Sequence, residues 1–273
     1  MKIATLTAGA GVAITNGSGT ITIAASSGQD TVATSTATGT QNDFAPGLSG
    51  NTVIRMNNAT DTTITGLSDG TDGQRVTILA IGAGHVFLAH QNAGSSASNR
   101  VINAVTVGNT PLAGGSGTAV LAYDGTTSRW RLVSHSQGAP ISVTYASGDF
   151  TASGSMTWTV DSGDVLANQY RVIGTTLHWA LKLKNTSVGG TPDTNFRVVI
   201  PNGFNTPSLG GTGGTPVVLY HLIDNGGTPQ AGLSAVSSLD FSHLELSKMT
   251  VTSVFAASTN NTSIQGYFVF GIQ

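Results

Sequence analysis

The chain has 273 residues, only 9% of them charged, and a formal net charge of −2. Typical soluble domains carry about 25% charged residues. With so little charge and no clustered Lys or Arg, the chain lacks the basic surface of a nucleic-acid-binding protein. An apolar run of about 18 residues is also missing, which excludes a transmembrane helix, and the first residues do not match a signal peptide.

The composition predicts an all-β protein. Thr, Ser, Val, Ile and Gly dominate, and the 36 glycines are about twice the usual share. No stretch has the apolar periodicity of an amphipathic helix. The chain contains no cysteine, so its stability must come from strand pairing, from size or from oligomerisation rather than from disulfides.

The first predicted element is a hairpin within residues 6–25, "LTAGAGVAITNGSGTITIAA". Apolar and polar residues alternate on both sides of a predicted turn at residues 16–19, which is a strong hairpin signal. The aliphatic residues of its arms are Val12, Ile14, Ile21 and Ile23. Isolated hairpins are marginally stable in water, so this ribbon needs a partner surface.

The following residues divide into segments of different composition. Residues 1–50 are predicted to be an attachment hairpin followed by a spacer or an extended edge segment, because residues 26–50 have almost no bulky side chains. Residues 51–136 contain short strand-like runs separated by turn residues, and they predict a small β domain. Its clearest hairpin places Tyr123 and Trp130 across from each other. Trp130 lies between two arginines, and we interpret it as a residue that fills a subunit contact.

A second β unit is predicted after a linker at residues 137–141. Residues 142–273 have longer strands and form a predicted C-terminal β-sandwich. In "TTLHWALKLKN" Leu177, Trp179, Leu181 and Leu183 share one face, which predicts a strand with one buried and one solvated side. Trp158 also alternates with apolar residues and is expected in the core. No sequence repeat of about 20–50 residues is visible, so a solenoid and a propeller are rejected.

Several phrases resemble bacteriophage virion fibres of the tail-fibre type. They are the Gly-rich opening "AGAGVAITNGSGTITIA", the strand "GQRVTI", the loop "LAHQNAGSSASNR" and the hairpin "LAYDGTTSRWRLV". The segment "GDVLANQYRVIGTTLHWALKLKN" resembles the jelly-roll-like tip domains of the same proteins. The resemblance implies a homotrimer on the virion surface, with its N-terminus on the particle and its C-terminal unit facing the host.

The hairpin then has two possible partners. Three copies of Val12, Ile14, Ile21 and Ile23 could bury one another along a threefold axis. Alternatively, the ribbon could add a strand to a sheet of another virion protein, on the tail or the capsid. Both interpretations make it an assembly element.

No catalytic, metal or cofactor site is predicted. Glu245 is the only glutamate and is expected to face solvent, and most aspartates lie in turn sequences, where carboxylates cap backbone amides. Asp69 and Asp72 lack the spacing of a calcium loop. The six histidines lack the spacing of a metal site, although histidines stacked on a threefold axis could hold an ion. Residues 210–214, "GGTGG", are predicted to be a loop.

The leading hypothesis is a non-enzymatic structural fibre protein that binds a host surface glycan or protein. Loops on rigid β scaffolds often carry binding residues. The candidate receptor contacts are Asn202, Asn205, His221, Asp224, Asn225 and Gln230. The alternative is a head fibre or capsid decoration protein without an essential receptor role. A depolymerase would need a long β-helix and an acid pair, and a bacterial adhesin would need a signal peptide or an anchor.

Overall fold

The structure is a computed structural model that describes residues 12–17, 20–25, 30–103, 105–207, 218–237, 240–250 and 253–273. Nearly all regular structure in these residues is β, which confirms the all-β prediction. The remainder consists of loops and four 3₁₀ turns of three residues each. None of the helices in the described ranges could span a membrane.

The predicted N-terminal hairpin is present over residues 12–25. Strands β1 (Val12–Gly17) and β2 (Thr20–Ala25) pair antiparallel, with Ile14 opposite Ile23. Directly opposed side chains lie on the same side of a sheet, so the four aliphatic residues share one face. Ile21 and Ile23 are 58% and 61% exposed, which leaves that face uncovered. The part of the prediction on residues 6–11 lies outside the described residues.

The next six strands form three coils of a short parallel β-helix. They are β3 (Thr31–Ser35), β4 (Gly39–Gln41), β5 (Thr52–Met56), β6 (Thr62–Ile64), β7 (Arg75–Ala80) and β8 (Val86–Ala89). The odd-numbered strands pair in parallel in one sheet, and the even-numbered strands pair in parallel in a second sheet. Inward aliphatic residues of both sheets, such as Ile54, Ile64 and Leu88, pack in one core.

This arrangement corrects the rejection of a solenoid. Thr31, Thr52 and Val76 occupy equivalent places in successive coils. The coils have unequal lengths and share no residue pattern beyond alternation, so the sequence has no visible period. Of the two interpretations of residues 26–50, the described residues 30–50 fit an extended edge segment better than a spacer, because β3 and β4 each lie at the edge of a sheet. Strands β3 and β4 form the first coil of the β-helix, and Phe44 is buried in its core, so strand pairing continues across residue 50.

Four further strands complete this first unit. They are β9 (Val101–Ile102), β10 (Asn109–Leu112), β11 (Thr118–Asp124) and β12 (Arg129–Ser136). All of them except β9, which runs parallel to β12, pair antiparallel. Strand β10 pairs with β8, and the β11–β12 hairpin adds to β7. The predicted cross-strand pair is confirmed, since Tyr123 lies opposite Trp130 and their ring centroids are 5.2 Å apart.

The C-terminal unit is one ten-stranded sheet that curls on itself. Its strands are β13 (Ile141–Ser142), β14 (Phe150–Ala152), β15 (Met156–Thr159), β16 (Val165–Ile173), β17 (Thr176–Gly190), β18 (Asn195–Val199), β19 (Val218–Ile223), β20 (Gln230–Val236), β21 (His243–Lys248) and β22 (Ser258–Gly271). All of its pairings are antiparallel. The curl makes the inner surfaces of the sheet face each other across one core, and Trp158 and Trp179 lie there, as predicted.

Gln137, the first residue of the predicted linker, forms a buried junction between the two units, whereas Ala139 and Pro140 are exposed. Gln137 is 1% exposed. Its Oε1 accepts a 2.7 Å hydrogen bond from the backbone N–H of Val172, and its Nε2 donates to the carbonyl of Tyr170. Its own carbonyl accepts from Ala113 of the first unit. Val105 and Ala113 also pack in the C-terminal core, so the two units share apolar contacts.

We expect Gln137→Ala to lower the free energy of unfolding by about 1–3 kcal/mol, because it leaves the buried N–H of Val172 without its acceptor. The matched control is Gln169→Ala, since Gln169 is exposed on the neighbouring strand β16. Chemical denaturation of the full chain measures both variants. Equal stability of the two variants would show that the side-chain hydrogen bonds of Gln137 contribute nothing to the free energy of unfolding.

Candidate functional site

The structure does not bring the six candidate receptor residues into one cluster. His221 and Gln230 both line one shallow depression, but His221 lies on the outer face of the C-terminal sheet, whereas Gln230 lies opposite the buried Leu222 at the start of β20. Asn202 lies at the junction with the first unit, and its Nδ2 donates a 2.8 Å hydrogen bond to the carbonyl of Asn109. The carbonyl of Asn205 accepts from the backbone N–H of Gln273.

Asp224 and Asn225 follow strand β19 and stabilise a turn. The Asp224 side chain is 5% exposed and forms an ion pair with Lys248. Both of its carboxylate oxygens also accept from the backbone N–H of Ala256. Asn225 adopts a positive φ of 47°, a backbone conformation that asparagine tolerates better than most residues. We therefore assign Asp224 a structural role, because a buried and paired carboxylate is not presented to a ligand.

A broad depression lies on the outer face of the C-terminal sheet. It has a volume of about 620 Å³ and is lined by residues of strands β16, β17, β19 and β22. In register, Ala180 lies opposite Tyr267, and Lys182 lies opposite Gln265, which in turn lies opposite His221. The outer side chains of four neighbouring strands therefore form one continuous surface.

Strict alternation in β17 builds this surface. Leu177, Trp179, Leu181 and Leu183 are buried, as predicted. The residues between them, His178, Ala180, Lys182 and Lys184, consequently point outward. The indole N–H of Trp179 donates a 2.7 Å hydrogen bond to Oδ1 of Asn168, which fixes the buried side of the strand. A rigid core thus supports the outer face.

Tyr267 is the exposed aromatic residue of this surface. It is 59% exposed although it lies in the middle of the long strand β22. Its hydroxyl shares a 3.2 Å hydrogen bond with Nδ1 of His178 on the adjacent strand. Leu219, which also lines the depression, is 57% exposed. An aromatic ring and an aliphatic side chain are therefore presented together to solvent.

A second depression continues the first along the same strands. It is lined by Lys182, Lys184, His221, Ile223, Ser263 and Gln265, with Leu183 and Ile264 beneath. The chain has only four lysines, and two of them lie here. No Asp or Glu is found among the described residues that line either depression. The surface therefore carries basic groups and no carboxylate.

Comparison with known proteins finds neither a matching protein-family model nor a similar curated protein.

Glu245 and Asp124 both have partners within the fold. Glu245 was expected to face solvent; it alternates with buried Leu244 and Leu246, so it lies on the outer face, where its carboxylate is 2.9 Å from Nε of Arg197 and its side chain stays 19% exposed. A hydrogen bond from Arg131 lowers the pKa of Asp124 to about 2, and further bonds from Thr127 contribute. Asp124 also accepts the backbone N–H of Thr126 in the β11–β12 turn, so it is an ionised turn cap, in agreement with its predicted place in a turn.

Two histidines of the first unit are engaged with backbone groups. His85 Nδ1 accepts the backbone N–H of Gly114, and His90 Nδ1 accepts that of Asn103. Within the described ranges, no group of three or more His, Cys, Asp or Glu side chains is arranged to hold a metal ion.

Trp130 does not fill a subunit contact, which corrects that interpretation. Its side chain is fully buried in the core of the β-helix. The indole N–H donates a 2.8 Å hydrogen bond to the carbonyl of Leu67. The flanking Arg129 and Arg131 misled the sequence interpretation, because neighbours along a strand point to the opposite face. Residues 210–214, predicted to form a loop, lie outside the described residues.

Proposed function

We propose that this chain is a structural protein of a bacteriophage virion that binds the host cell surface without cleaving it. The observation that carries the proposal is the presence of two uncovered surfaces of different chemistry. One is the aliphatic face of the N-terminal hairpin. The other is the aromatic and basic outer face of the C-terminal sheet. The first is suited to assembly and the second to a polar ligand.

The exposed aliphatic face of the hairpin supports a role in attachment to the particle, because an isolated hairpin is only marginally stable in water. Burying one Val or Ile side chain contributes about 1.5–3 kcal/mol, and each hairpin offers four such residues. Covering them with two further copies of the chain, or with a sheet of another virion protein, recovers this free energy. The proposed partners are thus the chain itself, as a homotrimer, and a tail or capsid protein.

Binding without cleavage is supported by the state of the carboxylates. Glycoside hydrolysis commonly uses two carboxyl groups about 5–9.5 Å apart, one on each side of the bond that breaks. The only glutamate of the chain pairs with Arg197. Asp224 pairs with Lys248. These carboxylates already have cationic partners, which fits a binding surface better than a hydrolytic site.

Adsorption of virions that lack this protein tests the proposal. We expect such particles to assemble but to bind host cells poorly, and we expect purified protein to block adsorption of intact particles in a saturable way. The length of host surface polysaccharide should not change during incubation. Release of oligosaccharides would contradict binding without cleavage. Normal adsorption of the deficient particles would favour a head fibre or decoration protein.

A substitution in the hairpin tests the assembly role. We expect light scattering of the full chain to give three times the chain mass of 27.6 kDa, and Ile21→Asp/Ile23→Asp to reduce it to one chain mass, because carboxylates cannot be buried in the shared apolar face. Thr22→Asp is the matched control, since Thr22 is exposed on the opposite face. A monomeric unsubstituted chain would contradict the homotrimer.

A further inference from the structure

We infer that the outer face of strands β16, β17, β19 and β22 binds an acidic polysaccharide, one whose sugar rings carry carboxylate groups. The inference rests on the proposed function and names the surface and the ligand chemistry. The binding face is defined here as Tyr267, Leu219, Gln265, His221, Lys182 and Lys184. These residues line the two adjoining depressions.

The aromatic part of the binding face is suited to a sugar ring. A tyrosine presents an apolar ring with a polar tip, and a sugar ring presents an apolar C–H face with polar edges. Tyr267 is 59% exposed, and its hydroxyl is held by His178 at 3.2 Å. The neighbouring Ala180 is small, which leaves space beside the ring. The depression of about 620 Å³ falls within the usual range of ligand pockets.

The charge of the binding face selects an acidic ligand. Lys182 and Lys184 point outward from the same strand, about 7 Å apart at the usual rise per residue. His221 and Gln265 lie beside Lys182 and add hydrogen-bonding groups. With no carboxylate lining either depression in the described structure, nothing repels an anion there. The rest of the chain must be net acidic, because the formal charge of the whole is −2.

Carboxylate is favoured over phosphate by the geometry of the donors. Sites for phosphate commonly use free backbone N–H groups at a helix N-terminus or in a loop nest, or the planar fork of arginine. The binding face lies on paired strands, whose backbone N–H groups are used within the sheet. It offers separated lysine ammonium groups instead. These match single charges spaced along a polymer.

Equilibrium binding of the full chain to polygalacturonate tests the inference, with its methyl ester as the neutral polymer of the same backbone. We expect binding to the acid form only, and weaker binding as NaCl rises from 0.1 to 1 M, because the Debye length falls from about 10 Å to about 3 Å. Lys182→Gln/Lys184→Gln should weaken the apparent affinity about tenfold. Each exposed ion pair increases the affinity a few-fold, and a polymer with repeated carboxylates can form several such pairs.

Matched variants separate the binding face from general charge and from folding. Arg55→Gln/Arg75→Gln removes the same charge from exposed residues of the first unit and should leave the affinity unchanged. Tyr267→Ala should weaken binding about tenfold, whereas Tyr267→Phe, which keeps the ring, should stay within about twofold. Unchanged thermal transitions would show that the variants remain folded.

Four other kinds of result would contradict the inference, and each has a different meaning. Equal binding to the acid polymer and its ester, or binding only to polyglycerol phosphate, would overturn the carboxylate assignment. Loss of binding in the arginine control would assign it to general charge. A change in oligomeric state in the Tyr267 variant would make this face a contact between copies of the chain. If none of the polymers binds but virions still need the protein to adsorb, the inference fails while the proposed function stands.

Discussion

Replacing Trp130 with alanine is expected to lower the free energy of unfolding by about 3–5 kcal/mol. The indole is fully buried in the β-helix core, with its edge against Tyr123 and its N–H bonded to Leu67. Removal leaves a large cavity and a carbonyl without its donor. Chemical denaturation of the full chain, followed by a signal from the first unit, measures the loss.

Two variants on the same strand control this measurement. Trp130→Phe keeps a ring and loses the hydrogen bond, so it should be destabilising by a smaller amount. Val133→Ala should have little effect, because Val133 is 60% exposed. A Trp130→Ala variant with unchanged stability but an altered oligomeric state would restore the interpretation of Trp130 as a subunit contact.

The second large effect is expected at the buried ion pair of the C-terminal unit. Asp224→Ala should cost about 3–5 kcal/mol, because it leaves Lys248 without its partner while the lysine side chain is only 17% exposed. It also removes the acceptor of the Ala256 N–H. Lys248 lies over the ring of Phe255 at 5.6 Å, so the loss should extend to the packing beneath it.

A double variant distinguishes this structural role from ligand binding. Asp224→Leu/Lys248→Met replaces both charges by apolar groups and should recover much of the stability lost in the single variant. Asp30→Ala makes the same charge change at an exposed position and should be nearly neutral. Full stability of Asp224→Ala, accompanied by a loss of host-cell binding, would return Asp224 to the candidate receptor contacts.

The elements that the sequence predicts well are those defined by local pattern. Alternation in β17 assigned its buried and exposed faces correctly, and the turn residues placed the β11–β12 hairpin. Trp158 and Trp179 were predicted in the core because each alternates with apolar neighbours. In each case the deciding residues lie within one or two adjacent strands, so the physical signal is contained in a short window.

The β-helix could not be predicted in the same way. Its coils are held by parallel pairing between residues such as Thr31, Thr52 and Val76. Short inward aliphatic residues are sufficient to fill its core, and such residues occur throughout this chain. Without a repeated motif or an equal coil length, nothing in a short window distinguishes a coil from an ordinary strand and turn.

The residues of the binding face could be predicted from the sequence only in part, for a related reason. His221 was selected from its loop-like surroundings, and Lys182 and Lys184 were placed on a solvated face. Tyr267 was not selected, although its alternation with Phe268 marks it as pointing away from the core. The face exists because β22 lies between β17 and β19, and this order follows from pairing between residues about 90 positions apart.

The position of β22 also has a consequence for biosynthesis. Each coil of the β-helix can pair with the one before it as the chain emerges, because the contacts are short in sequence. The C-terminal sheet behaves differently, since β17 and β19 are joined only through β22, the last of these strands to be translated. Until then both strands have open edges, and such edges invite pairing with other chains. We therefore expect this unit to complete its sheet only after β22 has been translated, and so later than the first unit, and we expect a chain truncated before β22 to be prone to aggregation.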